Sequence, residues 1–205
     1  MTTIADNEFY IIAKDIITFI LTVIGLVIAG NGLATWKKQI KGTKEFDTAY
    51  NLYYSTLKLR EAIKNVRNPA IWLPEIDIAK KHTKEKNPQR TEEYIENNSH
   101  VLVYEMRWEG IIKASTEMES HLLAAEALWG PEITNLIRPL NKKVTELNIA
   151  LRQNFNPDLR TKNQLELHDI IYNQSSESEE DVFGKEVSDI INTINEYLKN
   201  KAPIK

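Results

Sequence analysis

Lys58, Arg60, Lys64 and Arg67 follow Phe46, Tyr50 and Tyr53 along one stretch of the chain. Spaced by four and three, Arg60, Lys64 and Arg67 share a helix face, and the aromatic row leads into it. Such a face can hold phosphates while neighbouring rings stack on bases, so it is a candidate anion site for a nucleotide or single-stranded nucleic acid, with Lys58 reinforcing it. The same pattern also suits a plainer role: the rings pack inward, and the cations are solvated or paired with acids such as Glu61.

Other chemistry is sparse. The histidines are His82, His100, His121 and His168, and none forms an H-x-x-x-H or H-E-x-x-H motif. Glu117 with His121, and Glu105 with Glu109, stand at i, i+4 as two metal ligands would. On a long Glu-rich helix such pairs also arise by chance. No P-loop, G-x-S-x-G or G-x-G-x-x-G occurs. The chain has no cysteine, which removes disulfides and thiolate metal centres. No enzyme, catalytic residue, metal or cofactor is expected. The formal charge of -3, from 26 basic and 29 acidic residues, gives no global electrostatic instruction. Only seven Gly and seven Pro favour a helical protein over a turn-rich β fold.

The element with the clearest physical demand is residues 16–36, IITFILTVIGLVIAGNGLATW, which carry no charge. As a helix this run covers about 32 Å, close to the ~30 Å hydrocarbon core of a bilayer. A cleaved signal peptide is disfavoured, because Asp6, Glu8 and Asp15 precede the run where such a peptide wants net positive charge. Lys37, Lys38, Lys41 and Lys44 follow the span against Lys14 before it, so the positive-inside rule places the remainder in the cytoplasm of a bacterial inner membrane. Trp36 with Lys37, Lys38 and Lys41 forms the interfacial anchor. The N-x-S triplets at Asn97 and Asn173 would then face cytoplasm and are not expected to be glycosylated.

Within the span, Thr18, Thr22, Gly25, Ala29 and Gly32 step by four and three and stack on one face. Small, weakly polar faces let helices approach closely in lipid, which predicts self-association. In a ring of copies the same face lines a conduit, with Asn31 or the Lys14/Asp15 pair at a mouth. The stripe alone does not separate packing from pore lining.

These readings divide the chain into a tail outside the cytoplasm (1–15), a transmembrane helix (16–36), a short connector (37–45) and a helical domain (46–205). A first bundle helix is expected over 46–66, burying Ala49, Leu52, Leu59, Ile63 and Val66, with a stop at Asn68-Pro69. Pro74 and Pro88 bracket a lysine-rich stretch, so 71–90 reads as an exposed loop. One long helix follows over 91–129, and another over 131–154 that Pro139 should bend or interrupt. Residues 155–177 are a crossover of undecided structure. The final helix starts near Ser178, where Ser178 and Asp181 resemble a capping box. The expected fold is all-α: one transmembrane helix, then a cytoplasmic antiparallel helical bundle.

The run Trp36-Lys37-Lys38-Gln39-Ile40-Lys41-Gly42, with Leu59-Arg60-Glu61-Ala62-Ile63 and Val66-Arg67-Asn68-Pro69, resembles a pattern in small bacterial single-span membrane proteins. The layout is also similar to membrane effectors of anti-phage defence, including the Hailong-type channel effector regulated by nucleic acid. The resemblance covers about the first third of the chain. It implies Trp36 and the basic residues as interface elements and the Arg-Asn-Pro end as structural or ligand-facing. The expectation is a homo-oligomeric, ligand- or partner-gated ion channel in contact with membrane lipid. The alternative is a non-conducting anchored scaffold for a cytoplasmic protein partner.

Overall fold

A computed structural model describes residues 2–172 and 181–202, excepting the side chains of 2–13, 15 and 157. The expected cap Ser178, the triplet at Asn173 and the side chain of Asp15 lie outside the described residues. Among those described, the fold is all-α, seven helices packed as a bundle. In order they are α1 (Thr2–Arg67), α2 (Leu73–Lys86), α3 (Glu92–Asn97), α4 (Ser99–Trp129), α5 (Glu132–Phe155), α6 (Gln164–Ile171) and α7 (Val182–Lys201). A 3-10 turn at Pro157–Leu159 joins α5 to α6. The chain divides into two compact units, Met1–Glu45 and Phe46–Lys205.

The first unit holds the apolar part of α1, which is long and apolar enough to cross a membrane. Its best 18-residue window has a mean hydropathy of 2.3, and none of that window is buried. Ile16, Phe19, Leu21, Leu26 and Ile28 are all exposed, a continuous apolar surface that water disfavours. Residues 37–45, expected as a connector, are helical instead. Gly42 costs a helix only about 1 kcal/mol relative to alanine, and the surrounding Lys, Gln, Ile and Glu are tolerant or good helix formers. Lys41 and Glu45 add an i, i+4 ion pair at 3.8 Å.

In the second unit the main core gathers residues from five helices. Ala49, Leu52, Leu59, Ile63 and Val66 of α1 are buried among Ile111 and Met118 of α4, Ile133, Ile137 and Leu147 of α5, Leu167 of α6 and Val187, Ile191 and Ile194 of α7. Burying one such side chain contributes about 1.5–3 kcal/mol, so this core, rather than surface pairing, carries the bundle. α5 packs on α4, α6 and α7, while α4 also packs on α2. A smaller cluster of Ala79, Ile95, Leu102 and Val103 joins α2, α3 and α4.

Two local expectations change, at 71–90 and at 91–129, and two open points are filled in. The presumed loop at 71–90 contains α2, because Pro74 falls in the first turn, where the missing N–H is not needed, and Pro88 lies beyond the last residue. Three of its four lysines are engaged: Lys84 pairs with Glu92 at 2.7 Å and Lys86 with Glu109 at 2.6 Å, and Lys80 pairs with Glu96. The long helix over 91–129 is two helices, since Thr91 caps α3 by accepting from the Tyr94 N–H and Asn98 leaves the helical conformation. Pro139 lies inside α5 without ending it. In the undecided crossover, Asn163 caps α6 by accepting from the Glu166 N–H.

Two glycines have geometric reasons. Gly130 ends α4 at φ +83°, in the region that favours residues without a Cβ. At Gly184 an added Cβ would come within 2.1 Å of an Asp181 carboxylate oxygen. Asp181 is itself the N-cap of α7, accepting from the Gly184 N–H at 2.9 Å. Asp181, the described member of the expected Ser178/Asp181 pair, is therefore the cap of α7.

Candidate functional site

The span-face residues Thr18, Thr22, Gly25, Ala29 and Asn31 are exposed on α1, as is Gly32. The Thr18 hydroxyl donates to the Lys14 carbonyl and the Thr22 hydroxyl to the Thr18 carbonyl, each at 2.8 Å. Their protons are therefore used within the helix. Nothing lies within 4 Å of a Cβ added at Gly25 or Gly32, which leaves room for a neighbour's backbone. Trp36, Lys37, Lys38 and Lys41 are likewise exposed.

The four cations of the candidate anion site do not converge. Lys58 donates to both carboxylate oxygens of Glu117 at 2.7 and 3.0 Å, linking α1 to α4. That hydrogen bond raises the Lys58 pKa and lowers that of Glu117. Arg60 and Lys64 both engage Glu61, at 2.8 and 3.4 Å, on the exposed side of α1. Arg67 points the other way, into the core, with its side chain only 2 % exposed. The carboxylates considered as metal ligands are ion-paired: Glu117 with Lys58, Glu105 with Arg90 and Glu109 with Lys86.

Arg67 acts as a structural clamp. Its Nε donates to the Ile170 carbonyl at 2.8 Å, and Nη2 donates to the carbonyls of Asp169 and Tyr172 at 3.0 Å. Nη1 and Nη2 together grip the Asp181 carboxylate at 2.9 and 2.8 Å. The guanidinium lies 4.7 Å from the Phe183 ring centroid. One side chain at the end of α1 therefore ties down the final carbonyls of α6 and the cap of α7. Burial pushes the Asp181 carboxyl up, but hydrogen bonds from Arg67 and the Gly184 N–H, with the Arg67 charge, hold it below its ordinary pKa.

A second buried arginine escaped the sequence reading. Arg107 on α4 makes a two-point pair with Glu75, 2.7 Å at each contact, and donates to the carbonyls of Asn68 at 2.6 Å and Ala70 at 2.7 Å. It thereby fixes the turn between α1 and α2. The Arg107 hydrogen bonds are the main reason that the Glu75 carboxyl sits below its usual pKa, against the opposing effect of burial. Glu75→Gln keeps the size but presents an amide to a donor-only guanidinium, so a loss of about 2 kcal/mol is expected in urea unfolding. An unchanged midpoint would show that the pair adds nothing to the fold.

Among the described residues the fold is all-α, with one membrane-length apolar helix and a bundle locked by two buried arginines. Compared with protein-family models, curated proteins and solved structures, the chain matches none.

Proposed function

We propose that the chain is a homo-oligomeric, single-span protein of a bacterial inner membrane whose packed spans form an ion path, gated by a ligand or partner acting on a cytoplasmic antiparallel bundle. The observation that carries this reading is the unburied apolar run of α1 with its exposed Thr18, Thr22, Gly25 and Ala29 face. The four lysines after the span support the cytoplasmic placement of the bundle. A role in anti-phage defence rests on the similarity of layout alone, a short apolar span followed by a helical domain. With Arg67 committed to Asp181 and Lys58 to Glu117, an anionic ligand on this helix falls to Arg60 and Lys64 on its exposed side.

Recording from purified protein in planar bilayers tests the ion path directly. Discrete, salt-carried conductance is expected from the intact chain, and its absence from a correctly inserted oligomer would remove the channel reading. The alternative, a non-conducting anchored scaffold for a cytoplasmic protein, is favoured by the extensive ion pairing that leaves Lys58 occupied. The two part on one variant: replacing residues 16–36 with polyleucine preserves cellular function for a scaffold and abolishes it for a channel.

A further inference from the structure

At the meeting of the turn after α1 with the start of α4, the end of α5 and α6 lies a cavity of about 480 Å³. That volume is within the range of small-molecule sites, roughly 300–1,000 Å³. Its lining is distinctive in chemistry. His100 and Tyr104 enter from consecutive turns of α4, while Gln164, His168 and Tyr172 form an i, i+4, i+8 stripe along and just past α6. Asn154 and Phe155 close it from the end of α5. Among the described lining residues there is no Lys, Arg, Asp or Glu.

The rings are already arranged. Tyr104 and Phe155 meet at 5.1 Å between centroids, and His168 and Tyr172 at 4.7 Å, both tilted. Burial first, then the charge of Tyr172 and a side-chain hydrogen bond with it, push the Tyr104 hydroxyl up to about 12, so the two phenols stay protonated and bonded to each other across the physiological range. The amides of Asn154 and Gln164 offer both donors and acceptors. Two walls are preorganised by the buried arginines: Arg107 holds the Asn68 and Ala70 carbonyls on either side of Pro69, and Arg67 holds the carbonyl of Tyr172.

We infer that this cavity is a binding site for an uncharged, planar heteroaromatic molecule of nucleobase to nucleoside size, held by ring stacking and by amide and imidazole hydrogen bonds from Asn154, Gln164 and His100. Aromatic walls reward a flat π surface. A bare apolar ring would desolvate the Asn154 and Gln164 amides without bonding them, and a phosphate would find no Lys or Arg in the described lining to offset its desolvation. The site belongs to the bundle alone and does not depend on whether the spans conduct.

Equilibrium dialysis of the full chain in detergent micelles tests it with adenosine, uridine and lumichrome as neutral probes, and with AMP and UMP as their charged counterparts. Saturable binding of at least one neutral probe is expected, with no tighter binding of the matching monophosphate. His100→Leu and Gln164→Leu, both at exposed positions, should each weaken that probe about tenfold while leaving the melting curve unchanged. Saturable binding of no neutral probe, binding of monophosphates only, or undiminished binding in both variants would each overturn the assignment. Ligand-observed saturation-transfer NMR on the parent chain gives the binding result independently of how any variant folds.

Discussion

Replacing Arg67 with methionine is expected to destabilise the bundle by about 3–5 kcal/mol, the range for removing one partner from a buried ion pair. The cost arises from what is left behind. Methionine fills much of the same volume, so packing changes little, but the Asp181 carboxylate loses both guanidinium contacts and the carbonyls of Asp169, Ile170 and Tyr172 lose their donor. Against a typical total stability of about 5–15 kcal/mol, such a loss leaves the variant near its unfolding threshold. Denaturant unfolding of the detergent-solubilised chain, followed by far-ultraviolet circular dichroism, measures it. The double variant Arg67→Met with Asp181→Asn should recover part of the loss, because the uncompensated charge is then gone while an amide oxygen can still cap α7. A double variant no more stable than the single would locate the cost in the three carbonyls instead.

The same clamp sets a pH dependence. Asp181 and Glu75 both have folded-state pKa values held below their ordinary ones. Each pair therefore contributes stability that is complete above the unfolded carboxylate pKa of about 4, and that is lost as the pH falls through the lower folded value. The parent chain should thus weaken progressively below about pH 5, and Asp181→Asn should flatten part of that slope while lowering stability at neutral pH.

Periodicity exposes the buried faces well because it is a local property. Ala49, Leu52, Leu59, Ile63 and Val66 repeat at helical spacing, and Phe183, Val187, Ile191, Ile194 and Leu198 do the same in α7; all ten are buried. Proline is ambiguous because its effect depends on position. Pro74 reads as a breaker in a linear scan, yet in the first turn of α2 it has no intrahelical bond to forfeit. The arginines were harder still. Arg67 shares a face with Arg60 and Lys64, so its charge suggests a solvated or anion-binding role, but its carboxylate partner Asp181 lies 114 positions away in sequence. Arg107 likewise bonds Glu75 across 32 positions. No local spacing encodes such pairs. The cavity is similarly non-local, for His100, Phe155 and His168 come from three helices, although the i, i+4 placement of Gln164 and His168 is visible in the sequence.

For the span, the expected result with the greatest consequence is that Gly25→Leu abolishes conductance and disrupts the oligomer. Packed helices sit about 8–10 Å apart, and the close end of that range requires small residues at the contact. Gly25 has open space around its Cβ position, so leucine is accepted by a single chain; the clash would come only from a neighbouring copy. The substitution also makes the segment more apolar, which removes loss of membrane insertion as the cause. Thr22→Val separates the remaining question. Valine keeps the shape of threonine but lacks the hydroxyl that donates to the Thr18 carbonyl at 2.8 Å. If that oxygen faces permeating ions, Thr22→Val lowers unitary conductance in an oligomer of unchanged mass; if the face serves close packing alone, mass and function both persist. Mass measurement in detergent paired with bilayer recording reads both variants. An oligomer untouched by Gly25→Leu would remove this face from the interface altogether, leaving the outward leucines and isoleucines to make any contact between copies.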